Sequence, residues 1–255
     1  MLRRIATVVA VGLVLAFCGA ASGIVYGQPD GNGHPNVGAL LAPQAYSDGT
    51  WVTCSGTLIS PTVFLTAAHC DQGVSPVAVT FDSQYVAGPG TTYMGTWHAD
   101  PRFRGAQGDP YDLAVVVFSN PVPGITPAQL PGAGSLANLA KDQGFTSVGY
   151  GAQSVSIDHG PMFHYADVRY AGTSGKLLAT NKAWLRISMN PAHGDAGTCY
   201  GDSGGPNFLG VGSGETSIVA ATTVTGDAMC RATNVDYRLD TESARSFLEQ
   251  FVSLP

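Results

Sequence analysis

Gly201-Asp202-Ser203-Gly204-Gly205-Pro206 sets one hydroxyl in a run of glycines, where the backbone is free to come close to a carbonyl from another molecule. A serine hydroxyl is a weak nucleophile at neutral pH and needs a base beside it to take its proton. Far upstream, Leu65-Thr66-Ala67-Ala68-His69-Cys70 places an imidazole next to a cysteine, and Asp112-Leu113-Ala114-Val115 places a carboxylate at the head of an apolar run. Asp100 and Asp109 compete with Asp112 for the part of orienting acid; the apolar residues Leu113 to Val117 favour Asp112. His34, His98, His159, His164 and His193 lack such a setting and read as structural or solvated.

The serine also satisfies Gly-x-Ser-x-Gly, the nucleophile elbow of α/β-hydrolases, in which acid and histidine follow the serine. No histidine follows Ser203, so that reading lacks its base. The rest of the chain reads as β-structure. Trp51 to Thr57, Val63 to Leu65, Val77 to Phe81, Leu113 to Phe118, Phe145 to Tyr150, Phe163 to Arg169, Trp184 to Ser188, Ser217 to Val224 and Val235 to Leu239 are short β-branched or aromatic runs between turn residues. Many such strands predict an all-β sandwich or barrel. One segment differs: Ala244, Phe247, Leu248, Phe251 and Val252 fall at helical spacing behind Asp240 and Thr241 as candidate caps, predicting a terminal helix that packs on the core. Pro121-Val122-Pro123-Gly124 through Pro131-Gly132 reads as a connector between two halves.

Arg3 and Arg4, the uncharged stretch Ile5 to Phe17 and the small residues Gly19 to Gly23 form a secretory signal pattern over residues 1–23. Its apolar part is shorter than the roughly 20 residues of a membrane span. Cleavage before Ile24 removes Arg3, Arg4 and Cys18, takes the net charge from −6 to −8 and leaves Cys54, Cys70, Cys199 and Cys230. Four cysteines allow three pairings. The acidic balance, with no basic run, argues against a nucleic-acid partner. No acidic loop stands out with the spacing of a recognised Ca²⁺ site, so no residue is assigned to a metal and the sequence does not decide calcium binding.

The three segments, in the order His, Asp, Ser, resemble the motifs of trypsin/chymotrypsin-like serine proteases, and the resemblance extends thinly over most of residues 24–255. It implies two antiparallel six-stranded β-barrels with a C-terminal α-helix, the N-terminal barrel at about 24–125 and the C-terminal barrel and helix at about 126–255. A cleft between them would receive His69 and Asp112 from the first and Ser203 from the second. By the same resemblance, backbone N–H groups of Gly201 and Ser203 form an oxyanion hole, and Cys54 pairs with Cys70 and Cys199 with Cys230. Asp202 would pair with the new ammonium of Ile24, in Ile24-Val25-Tyr26-Gly27, where Tyr26 stands in place of a commoner glycine.

The substrate pocket would be formed by Gly197 at its base with Thr198, Tyr200 and Gly226. Lack of a carboxylate at 197 implies preference for an apolar or aromatic residue before the scissile bond, although Asp195 is near enough to keep a basic preference open. Asn234 or Val235, in a segment that departs from the family pattern, would narrow the pocket. The implied function is a secreted serine endopeptidase acting through an acyl-enzyme, a monomer without cofactor that leaves the membrane after signal cleavage. Its partners are polypeptide substrates and proteinaceous inhibitors. The alternative is a noncatalytic secreted binding protein on the same scaffold.

Overall fold

The computed structural model describes residues 24–106, 108–153, 155 and 167–255; the signal segment at 1–23 lies outside them. After a two-residue β1 (Gln28–Pro29), β-branched and aromatic runs form β2 (Val37–Leu41), β3 (Val52–Ser60), β4 (Val63–Thr66), β5 (Val77–Thr80), β6 (Tyr93–Ala99) and β7 (Ala114–Phe118). These last six close into an antiparallel barrel in the order β2-β3-β4-β7-β6-β5, with Ala39 opposite Thr80 at the final seam. Closure leaves no free edge. Leu40, Leu58, Phe64, Val79, Phe81, Val116 and Phe118 fill the interior, and Phe64 meets Phe81 edge to face with ring centroids 5.7 Å apart. Burying each such side chain contributes roughly 1.5–3 kcal/mol, and Phe64→Ala would cost about 3–5 kcal/mol with its cavity.

The second half holds β8 (Phe145–Gly149), β9 (Tyr170–Ser174), β10 (Leu177–Thr180), β11 (Trp184–Ser188), β12 (Pro206–Leu209), β13 (Val219–Gly226) and β14 (Thr233–Arg238). With β1 they make an eight-stranded sheet ordered β1-β9-β8-β12-β13-β14-β11-β10, which curls into a half-barrel rather than closing by a ladder. β1 occupies the outer edge of β9, with Gln28 opposite Ala171, and the chain itself passes from β9 to β10 through Gly175 and Lys176.

The halves are fused by one apolar cluster in which Leu65, Leu113 and Val115 pack with Tyr150, Phe208 and Tyr237. Helix α1 (Glu242–Leu248) follows, capped by Thr241, whose Oγ1 accepts the Ala244 N–H, and buries Ala244, Phe247 and Leu248 in the same cluster. It is shorter than the apolar spacing implied, because Phe251 and Val252 continue as a turn whose N–H groups both reach Leu248 O. Arg102 ties the helix back to the first barrel by donating to Ser246 Oγ at 3.1 Å and Ser243 O at 2.7 Å. Among the expected strands, Phe163 to Arg169 lies partly outside the described residues, and Val168 makes only an isolated bridge to Gln84. No described helix is long and apolar enough to cross a membrane.

Candidate active site

His69 sits on a single 3-10 turn, Ala68–Cys70, immediately beyond β4. The Cys54–Cys70 disulfide anchors this turn to β3, with Cα atoms 6.2 Å apart. In the chain-entropy account a loop of this size stabilises by about 3 kcal/mol. Asp112, at the entry to β7, binds the histidine twice: Oδ1 accepts its backbone N–H at 2.9 Å and Oδ2 meets ring Nδ1 at 2.7 Å. The carboxylate is buried while the ring is about one-third exposed. Asp100 is engaged by Arg102 instead, and Asp109 accepts the backbone N–H groups of Arg104 and Tyr111. With Nδ1 committed to Asp112, Nε2 is the ring nitrogen left for chemistry.

Ser203 lies in a turn that only glycine permits on its C-terminal side. Gly204 has φ +77°, and a Cβ there would lie 2.6 Å from Ala67 N, beside the histidine turn. That close approach joins the serine turn to the His69 turn. His69, Asp112 and Ser203 line one cavity of about 530 Å³, while His69 and Ser203 also border a second of about 300 Å³ that Gly201 faces. No hydrogen bond joins Ser203 Oγ to the ring among the described residues, as is common before substrate binds. Cys54 and Cys70 approach His69 as a metal set would, but their sulfurs are consumed in the disulfide.

Thr198, Tyr200 and Gly226 line the larger cavity. Gly197 does not: its N–H and C=O pair with Val25 at 3.0 and 2.8 Å, and a Cβ on it would collide with Met189. Met189 is buried, and its Cε lies 3.5 Å from a Cβ placed on Gly226, although it is not itself among the residues that line the cavity. Sequence reading missed Met189 because a methionine ending an apolar strand looks like ordinary core. Asp195 turns away, its Oδ2 accepting from Ser188 Oγ at 2.6 Å. Asn234 is fully buried and stands outside the lining, as does Val235. Asp227 borders the cavity, but its Oδ1 is held by the N–H groups of Ala232 and Thr233, bracing the loop that the Cys199–Cys230 disulfide closes.

Asp202 is fully buried; Oδ1 accepts the Gly151 N–H and Oδ2 the Cys199 N–H, each at 2.8 Å. Burial pushes its carboxyl up to about 7, against the help of those two donors, and no cation reaches it among the described residues. Ile24 is buried against Tyr170 and Ala196. In the uncut chain its nitrogen is a peptide amide.

A closed six-stranded barrel, a curled partner sheet, a bonded His–Asp pair and a serine turn on the seam between them define a protein of the chymotrypsin fold. The family model for trypsin matches residues 31–244, and the chain belongs to that family, the trypsin-like serine proteases. Its two disulfides are of the kind that persists in oxidising surroundings.

Proposed function

We propose that this chain is a secreted serine endopeptidase, made with a signal peptide at 1–23, and that Ser203, His69 and Asp112 carry its chemistry. The observation that supports this best is the 2.7 Å bond from Asp112 to His69 Nδ1 at the edge of a cavity that Ser203 shares. Ser203 Oγ would attack the substrate carbonyl carbon as its proton passes to His69 Nε2; Asp112 holds the ring tautomer and stabilises the imidazolium. The N–H groups of Gly201 and Ser203 would receive the developing oxyanion, a contribution of roughly 3–4 kcal/mol per donor. The proton then moves to the leaving amine as the C–N bond breaks. Water attacks the acyl-serine, gives a proton to Nε2 and restores the hydroxyl.

An apolar or aromatic residue before the scissile bond suits a cavity lined by Thr198, Tyr200, Val224 and Gly226. Cleavage before Ile24 would free an ammonium to pair with Asp202. The enzyme would act as an extracellular monomer on polypeptides, open to protein inhibitors, without metal or cofactor. Labelling with a fluorophosphonate tests the reading: the protein should label at Ser203, and Ser203→Ala should lose label and about 10⁴-fold or more in kcat. An unlabelled wild-type protein would favour the noncatalytic binding role.

A further inference from the structure

Ser55 is fully buried in β3 of the first barrel, next to Cys54, yet its hydroxyl and its backbone N–H both bond to the second half. Its Oγ donates to Gly201 O at 2.9 Å and accepts the Tyr150 N–H at 2.9 Å. Its backbone N–H donates to Ser203 O at 2.9 Å, and its own carbonyl accepts Thr66 Oγ1 at 2.8 Å. One residue thus holds the carbonyls on both sides of Asp202. The neighbouring donors continue the pattern, since Gly151 N–H serves Asp202 Oδ1 at 2.8 Å and Ala152 N–H serves Tyr200 O at 2.6 Å. Three successive amides, 150 to 152, therefore hold the 200–202 loop, and the first acts only through the Ser55 hydroxyl.

Planarity of the peptide gives this a direct consequence. In a trans peptide the C=O and N–H point oppositely, so fixing Tyr200 O aims the Gly201 N–H, and fixing Gly201 O sets the next plane. Gly201 itself has φ +92°, a region open to glycine but with little to hold it there. We propose that Ser55 is a positioning residue that fixes the peptide plane between Gly201 and Asp202, and through it steadies the two flanking planes that carry the oxyanion N–H groups of Gly201 and Ser203. The proposal rests on the catalytic reading above and adds a residue that does not touch substrate. Removing the hydroxyl would leave a buried acceptor at Gly201 and a buried donor at Tyr150 unpaired, and the loop is free to turn to regain them.

Ser55→Ala is to be compared with wild type on a peptide amide, with rates normalised to titrated serines. Expected is a fall in kcat of about tenfold to a hundredfold, short of the loss for deleting an oxyanion donor outright, with KM changed by less than about threefold. Affinity for a peptide boronate, which forms a tetrahedral adduct on the serine, should fall in step. Tyr237→Phe, which removes a partly buried hydrogen bond to Ser243 away from the site, is the control: lower Tm with kcat kept. A Ser55→Ala enzyme with lowered Tm and unchanged kcat overturns the role of Ser55 alone, whereas a wild-type protein that neither cleaves nor labels overturns the catalytic reading as well. Should Ser55→Ala fail to fold, hydrogen exchange on the wild type decides. The Tyr150 amide should exchange with the slow core, and exchange at loop rates would refute the anchor.

Discussion

The two halves of the molecule hold their parts of the site in opposite ways. The first barrel is closed around an apolar cluster, and histidine and acid both stand on it, bonded to each other at 2.7 Å. In the second half, polar groups are buried within the curl. Ser147 Oγ donates to Asn207 Oδ1, Asn207 Nδ2 donates to Asp236 Oδ1 at 2.8 Å, and burial pushes the Asp236 carboxyl well above its ordinary value. The serine turn depends on donors from other segments, Ser55 of the first barrel and Gly151 beyond β8. One half supplies fixed geometry; the other is conditional on contacts across the seam and at the N-terminus.

The sharpest way to break this contrast is within the first barrel. Asp112→Asn should keep the fold, because an amide oxygen still accepts a hydrogen bond, while lowering kcat by about 10⁴-fold through the wrong ring tautomer. Asp100→Asn should do the reverse, weakening the grip of Arg102 on the C-terminal helix and costing stability with kcat retained. Steady-state kinetics and thermal unfolding on both variants decide it; equal loss of kcat in the two would mean that the barrel acts on the site as a whole and not through one carboxylate.

The next effect belongs to the conditional half. Asp202 has its folded pKa raised to about 7, so between roughly pH 4 and that value the native state keeps a proton that the unfolded chain has lost. Stability of a chain extended by one residue before Ile24 should therefore fall as pH rises through this window, by up to a few kcal/mol. Asp202→Asn should flatten the slope. In the chain that starts at Ile24, a paired ammonium would favour the charged carboxylate and remove most of the dependence. Denaturant unfolding from pH 4 to 8 on these forms is the measurement, and identical slopes with and without the extra residue would dispose of the ion pair.

What could be read from the sequence follows the same division. His69, Asp112 and Ser203 can be singled out from the sequence because each stands in a local motif, and the structure bonds His69 to Asp112 and sets both on the cavity that Ser203 lines. The choice of Asp112 over Asp100 and Asp109 was partly legible, through the strand that follows it; the rest depends on Arg102, which folds back onto Asp100. Strands β1, β2, β6, β9, β10 and β12 are not legible, since β1 has two residues only and glycine, threonine and polar residues blur the alternation of the others. Met189 and Ser55 carry no local signal at all. What sets them apart is only what lies across from them, 8 residues away at Gly197 and 146 residues away at Gly201.

The smallest effect sharpens the comparison at the edge of the second half. His34 lies against Phe208 with ring centroids 5.3 Å apart, its Nδ1 2.5 Å from Asp30 Oδ1 and its Nε2 2.8 Å from Glu215 Oε1. A neutral imidazole has one N–H, so serving both carboxylates requires the imidazolium. Burial opposes that charge, but Asp30 and Glu215 outweigh it and raise the pKa; Arg169, donating to Asp30 at 2.7 Å, is the other charge facing the group. The sign follows from linkage. Stabilisation is complete below the unfolded value of about 6.5 and is lost as pH rises through the raised folded value. His34→Gln should therefore lower Tm most at about pH 6, with the gap from wild type narrowing as the solution turns alkaline, while kcat per titrated serine stays the same. Glu215→Gln should show a weaker copy of this pattern, because Asp30 still faces the ring. A gap that stays constant from about pH 6 to 9 would mean that His34 contributes by stacking on Phe208 alone, and that this edge of the second half is as insensitive to proton uptake as the first barrel.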